Sequence, residues 1–215
     1  MNASTLFDPR VRRVLDRMHA DADSNDPPIL AKARGKTGSA RTVLLDDAFI
    51  PVSAEAGRML YIVARSATPG TFVEFGTSFG ISTIYLAAAV RDRGAGRVIT
   101  TELHAGKAER ARGYIEEAGL ADLVDMRVGD ALETLKGLRR DVSLAFLDGW
   151  KELYLPLLRV IEPALVPGAL AIGDDLDLFP DALKPYLDYV RDPANGYVSL
   201  AVPLGDAMEI SVRAK

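Results

Sequence analysis

An α/β fold on a doubly wound, mostly parallel seven-stranded sheet is predicted by three observations. Short β-rich runs alternate with helical stretches of about ten residues, enough to carry the chain from one parallel strand to the next. Five of these runs are followed by, or end at, an acidic residue, so carboxylates gather where parallel strands present their carboxyl ends. The final two runs flank Leu204-Gly205-Asp206, a link too short for a crossover, so they form an antiparallel hairpin at one side.

Taken in chain order, residues 8–20 place Val11, Val14, Leu15 and Met18 at helical spacing. Asp21 to Pro28 then supply turn formers that should end this arm. Residues 33–41 are small and basic, the composition of a mobile loop. Gly35-Lys36-Thr37 is not a phosphate loop, because the glycine required five positions earlier is Leu30. Residues 1–50 therefore read as a helical arm and loop, and 51–215 as the main domain. Ser53 is placed to cap a helix running to about Arg65. Strands are expected at 71–75, 97–101, 123–128, 142–147 and 169–173, and in the hairpin at 197–203 and 207–213. Helices are expected at 80–92, 105–118, 131–138 and 152–164.

Composition narrows the partners. The 215 residues are 48% hydrophobic, enough for one sizeable core. With no cysteine, disulfides, thiolate metal sites and cysteine nucleophiles are excluded, in keeping with a reducing compartment. The 30 acidic residues outnumber 26 basic ones, so no global field draws nucleic acid or an anionic membrane. The longest apolar stretches, 83–90 and 164–172, are too short to span a bilayer, and the first residues lack a secretory pattern. The expectation is a cytoplasmic protein with a small-molecule partner.

The strand ends carry Glu74, Glu102, Asp130, Asp148 and the pair Asp174-Asp175. One acid after a strand is an ordinary helix cap; five in register point to a site. The turn 74–80 puts Gly76 where the backbone must bend sharply, but it lacks the G-x-G-x-x-G dinucleotide fingerprint. Glu74 would repel a pyrophosphate beside it, which favours an unphosphorylated and preferably cationic nucleoside. Glu102, 26 positions after Gly76, can accept from both ribose hydroxyls, and Asp130 can accept from an exocyclic amine.

Glu74-Phe75-Gly76-Thr77-Ser78-Phe79-Gly80-Ile81-Ser82 resembles the first motif of S-adenosylmethionine-dependent methyltransferases, a Rossmann-like fold. Leu147-Asp148-Gly149-Trp150-Lys151-Glu152-Leu153-Tyr154, with Pro167-Gly168 and Gly173-Asp174-Asp175 after it, resembles the cation-dependent catechol O-methyltransferase-like enzymes. The similarity runs over about residues 50–213 in the expected order.

The resemblance implies roles for particular residues. Glu74, Gly76, Ser78 and Ser82 would line the methionine end of the cofactor, and Glu102 with Leu103 the ribose. Asp130 and Ala131 would border the adenine, with Asp148 nearby and Trp150 packing on the base or the pocket mouth. Asp148, Asp174 and Asp175 match the ligands of a divalent cation, Mg²⁺ foremost, with Mn²⁺ or Ca²⁺ also admissible. Asp175 departs from the family's asparagine, and three carboxylates should tighten cation binding while weakening the ion's pull on a phenolate. Lys151 matches the catalytic lysine, the general base that takes the proton of an aromatic hydroxyl. A homodimer is the expected assembly, with the N-terminal arm as a contact. A metal-independent methyltransferase of the same fold is the rival reading, and chelation separates the two.

Overall fold

The computed structural model describes residues 4–34, 36 and 43–214. A seven-stranded sheet runs in the order β3-β2-β1-β4-β5-β7-β6. Its strands are β1 (Thr71–Phe75), β2 (Val98–Glu102), β3 (Val124–Val128), β4 (Val142–Leu147), β5 (Leu165–Gly173), β6 (Tyr197–Val202) and β7 (Met208–Arg213). The first five are parallel, β7 runs antiparallel to β5, and β6 closes the hairpin. The order reverses between β1 and β4, so the crevice where ligands bind in such sheets opens at their carboxyl ends.

Helices α1 (Pro9–Ala33), α2 (Ala54–Ser66), α3 (Ile81–Arg93) and α4 (Ala105–Glu117) precede the short α5 (Ala131–Thr134), α6 (Tyr154–Ile161) and α7 (Pro180–Arg191). Successive β1 side chains point to opposite faces, and each face has its own core. Phe72 packs with Leu60, Ile84 and Met18 on one side, and Val73 with Leu135, Leu157 and Tyr186 on the other. Helix α3 is buried from Ile81 to Val90, which explains a sequence with no polar face. Ser53 caps α2 as expected, its hydroxyl accepting from the Ala56 N–H.

Three expectations are revised. Helix α1 does not stop before Pro27-Pro28 but continues through both prolines to Ala33. Tertiary docking outweighs the lost N–H groups there. The Asp26 carboxylate accepts from the backbone N–H groups of Phe49 and Ile50, and the Asn25 amide donates to the Asp47 carbonyl. Helix α5 ends at Thr134, four residues short of the expected span. Residues 180–191, outside the expected helices, form α7, with Pro180 in its first turn and Leu183, Tyr186 and Val190 buried.

The apolar face of α1 is spent within its own chain, where Val11, Val14, Leu15 and Met18 are buried. Of the expected mobile loop at 33–41, residues 35 and 37–41 lie outside the described residues. No described helix is long and apolar enough to cross a membrane.

Candidate active site

The carboxyl ends of β1, β2 and β4 open into a cavity of about 470 Å³. Strands β1 and β4 approach closely at its floor. Gly76 has φ +99°, and a side chain there would run into the Asp148 carbonyl. A side chain at Gly149 would enter the Phe75 ring.

Of the residues expected to hold the cofactor, Gly76, Ser78, Ser82, Glu102, Leu103, Asp130, Ala131, Asp148 and Trp150 all line this cavity. Glu102 is fixed from two sides: Oε2 accepts from the Ser78 N–H at 2.8 Å and Oε1 from the His104 N–H at 2.9 Å. Its remaining lone pairs are thereby aimed before any ligand arrives. Asp130 caps α5 through the Leu132 N–H and lines the cavity at the same time. Trp150 stands 38% exposed on the wall.

Glu74 is placed differently. It is fully buried and off the wall, with Oε2 accepting from the hydroxyls of Thr83 and Thr100. Burial pushes its pKa above the usual carboxylate range, and the hydroxyls of Ser82, Thr100 and Thr83 oppose that rise. Oε1 makes no hydrogen bond of ordinary geometry. Glu74 thus supports the turn from behind.

The second group of acids stands at the ends of β4 and β5. Asp148, Asp174 and Asp175 each offer one carboxylate oxygen, and the three oxygens lie within 4.8 Å of one another. Strand geometry sets two of them, since the Asp148 N–H donates to the Phe75 carbonyl and the Asp174 N–H to the Leu147 carbonyl. Asp175 has φ +66°, a left-handed conformation that aspartate tolerates and that turns its side chain back toward the others. Its N–H donates to Asp174 Oδ1 at 2.9 Å.

Lys151 reaches into this cluster. Its Nζ lies 2.6 Å from Asp175 Oδ2 and 3.3 Å from Asp148 Oδ1, and donates to the Tyr154 hydroxyl at 2.9 Å. Tyr154 donates onward to the Asp174 carbonyl. Burial pushes Asp148 well above the usual carboxylate range; Lys151 pulls it down, while Asp174 and Asp175 push it further up. Asp174 is pushed up to about 7, by burial first and by Asp175 second. Burial lowers the proton affinity of Lys151, but Asp148 and Asp175 more than offset it, so the ammonium is held above its ordinary range.

Three hard oxygen donors converging at this spacing, two of them strained by burial and mutual repulsion, fit a divalent cation.

Comparison with known proteins bears on this arrangement. A family model described as a methyltransferase domain matches residues 73–176. A catechol O-methyltransferase of Mycobacterium tuberculosis is 39% identical over 128 residues, covering 59% of this chain and 55% of the relative. The chain is thus similar to catechol O-methyltransferases along the stretch that carries this site. It spans about half the length of the curated catechol O-methyltransferases it matches. Among solved structures, cofactor-bound Rv0187 from MTB superposes with a TM-score of 0.71 at 26% identity, covering 94% of this chain and 96% of that one. The O-methyltransferase TomG from Streptomyces achromogenes, solved with SAM, gives 0.66 at 27% identity, covering 87% and 90%.

Within this methyltransferase fold, several wall residues escaped the sequence reading. Lys107 lines the cavity, and its Nζ donates to the Ala48 carbonyl at 2.9 Å and to Ser78 Oγ. A cation in the first turn of a helix opposes the macrodipole, and that misplacement was the available signal. Phe179 also lines the cavity, with Lys151 Nζ 5.8 Å from its ring centre. His104 pairs with Asp46 at the rim, and His19 sits against Tyr85, so neither is near the acidic cluster's ligand set.

Proposed function

We propose that the chain transfers the methyl group of S-adenosylmethionine to a hydroxyl of a small catechol-like acceptor, assisted by a divalent cation at Asp148, Asp174 and Asp175. One observation carries the reading: Asp148, Lys151 and Asp175 line the same cavity as Gly76, Glu102 and Trp150. The reacting groups of the two halves therefore face one another. The SAM-bound structure of TomG supports the choice of cofactor.

Glu102 would accept from the ribose hydroxyls with two of its lone pairs already committed to backbone N–H groups. Gly76 allows the cofactor to approach the backbone, and Asp130 and Ala131 border the base. Asp148, Asp174 and Asp175 would hold the cation, whose chemistry when bound would be to lower the pKa of an acceptor hydroxyl and to offset the negative charge that now pairs with Lys151. Lys151 then serves as the base. Tyr154 holds its Nζ at 2.9 Å, so the amine is aimed at the acceptor oxygen rather than swinging free. Charge is neutralised as the methyl moves, and the walls formed by Trp150 and Phe179 limit water at that moment.

The acceptor's seat is supported by a second cavity of about 600 Å³ beside the first, lined by Pro27, Leu30, Arg34, Leu45, Leu178 and Phe179. Leu45 and Phe179 belong to both cavities, so an aromatic ring held there would present its oxygens toward Lys151. The metal-independent alternative draws on the 2.6 Å contact of Lys151 with Asp175, which already supplies the acids with a counter-charge. The test is transfer of labelled methyl to catechol against phenol, which lacks the second oxygen. Catechol methylated and phenol ignored is the expected result; equal transfer to both would remove the chelating role.

A further inference from the structure

Beside the Ser78 turn, part of the cavity wall is made by Asp46, Phe49, Ile50, Pro51 and Val52. Ile50 there has φ +45°, a left-handed backbone that a β-branched residue adopts only when its surroundings impose it. What imposes it is a grip from three separate elements. Asp26 of α1 accepts from the Phe49 N–H at 2.9 Å with one carboxylate oxygen and from the Ile50 N–H at 2.7 Å with the other. Lys107 of α4 donates to the Ala48 carbonyl at 2.9 Å. Ser78, in the turn after β1, donates its hydroxyl to the Phe49 carbonyl at 2.8 Å while its N–H holds Glu102. The Phe49 ring then packs edge-on against Phe79, with ring centres 4.5 Å apart.

Asp26 and Lys107 are 5% and 8% exposed, so each carries a desolvation cost that only specific contacts offset. Asp26 is not on the cavity wall, and the chemistry described above uses neither residue. We propose that Asp26 and Lys107 are positioning residues for the cofactor, holding peptides 48–50 in a strained shape that builds its binding wall. Helix α1 thereby contributes to cofactor affinity through a residue that does not reach the cofactor. This rests on the cofactor reading given above.

The experiment uses the full chain and its single tryptophan, Trp150, which lies on the cavity wall and reports S-adenosylhomocysteine by fluorescence titration. Asp26→Asn keeps the size but loses the charge and one of two acceptor oxygens, and Lys107→Met removes the donor. Each should weaken S-adenosylhomocysteine about tenfold, the scale of a lost charge-assisted hydrogen bond. The acceptor KM at saturating cofactor should stay within about twofold of wild type. Glycine adopts a positive φ without strain, so adding Ile50→Gly to Asp26→Asn should recover most of the lost affinity. A purely structural role would lower the unfolding temperature with no such recovery. Wild-type affinity in both single variants, or a double variant as weak as Asp26→Asn, would overturn the inference. If Asp26→Asn does not fold, Lys107→Met with and without Ile50→Gly decides in the same way. A wild-type chain that fails to bind S-adenosylhomocysteine would overturn the cofactor reading and this inference together; binding unaffected by the variants would overturn this inference alone.

Discussion

Two groups of carboxylates sit at the ends of the same sheet, and their surroundings differ in kind. Glu74 and Glu102, at the ends of β1 and β2, are met by donors: two threonine hydroxyls for the first, two backbone N–H groups for the second. Asp148, Asp174 and Asp175, at the ends of β4 and β5, face one another and a single lysine. Fixed donors lock the first pair in place, Glu74 behind the turn and Glu102 on the cavity wall. The second trio turns carboxylate oxygens toward one another, and burial raises the proton affinities of Asp148 and Asp174, which is the electrostatic preparation for a cation. Residue type alone does not separate a hydrogen-bonding acid from a metal ligand; the neighbours do.

The largest effect that would sharpen this contrast is expected from Lys151→Ala. Removing the general base should lower the turnover rate by about 10²–10⁴-fold with cofactor affinity little changed. Unaltered turnover would take Lys151 out of the mechanism. On the other side of the sheet, Glu102→Ala should weaken cofactor binding by about 1–3 kcal/mol, because the ribose loses charge-assisted hydrogen bonds. An unchanged dissociation constant would put the ribose elsewhere.

A subtler break targets the departure at Asp175. Asparagine is equally at home at φ +66°, so Asp175→Asn should leave the fold intact. Removing one negative charge should weaken cation binding by about tenfold and raise turnover at saturating cation, since a less neutralised ion pulls harder on the phenolate. Tighter cation binding by the variant would contradict the trio as a ligand set.

The smallest expected effect is on stability. Folded Asp174 keeps its proton to about pH 7, against an ordinary value of 3.8, so the folded chain binds more protons between those limits. Stability contributed by this group is present below about pH 4 and is lost as pH rises through about 7. A divalent cation competes with that proton, so added Mg²⁺ should raise the unfolding temperature by a few degrees above pH 7 and by less below pH 5. Thermal unfolding across this range, with and without Mg²⁺, checks the sign; a larger gain at low pH would count against it.

Much of this was legible before any coordinates. The β-rich runs at 71–75 and 142–147 are reproduced residue for residue, because strands buried on both faces read as short, mostly apolar runs bounded by turn residues. The acids at the strand ends were visible by their position after each run, and four of the six, Glu102, Asp130, Asp148 and Asp175, line one cavity. What stayed hidden depends on contacts between distant segments. Pro27-Pro28 reads as a stop unless Asp26 is known to hold Phe49 and Ile50. Lys107 reads as a surface residue until α4 places it under the Ala48 carbonyl. Glu74 reads as a wall residue, yet the two-residue period of β1 turns it toward Thr83 and away from the cavity.

The central claim is that Asp148, Asp174 and Asp175 hold a cation that the transfer requires. Its most direct test is transfer of labelled methyl from S-adenosylmethionine to catechol with Mg²⁺, with excess chelator, and with Mg²⁺ restored. Transfer that vanishes on chelation and returns with the ion is the predicted result, and transfer that persists in chelator would contradict it.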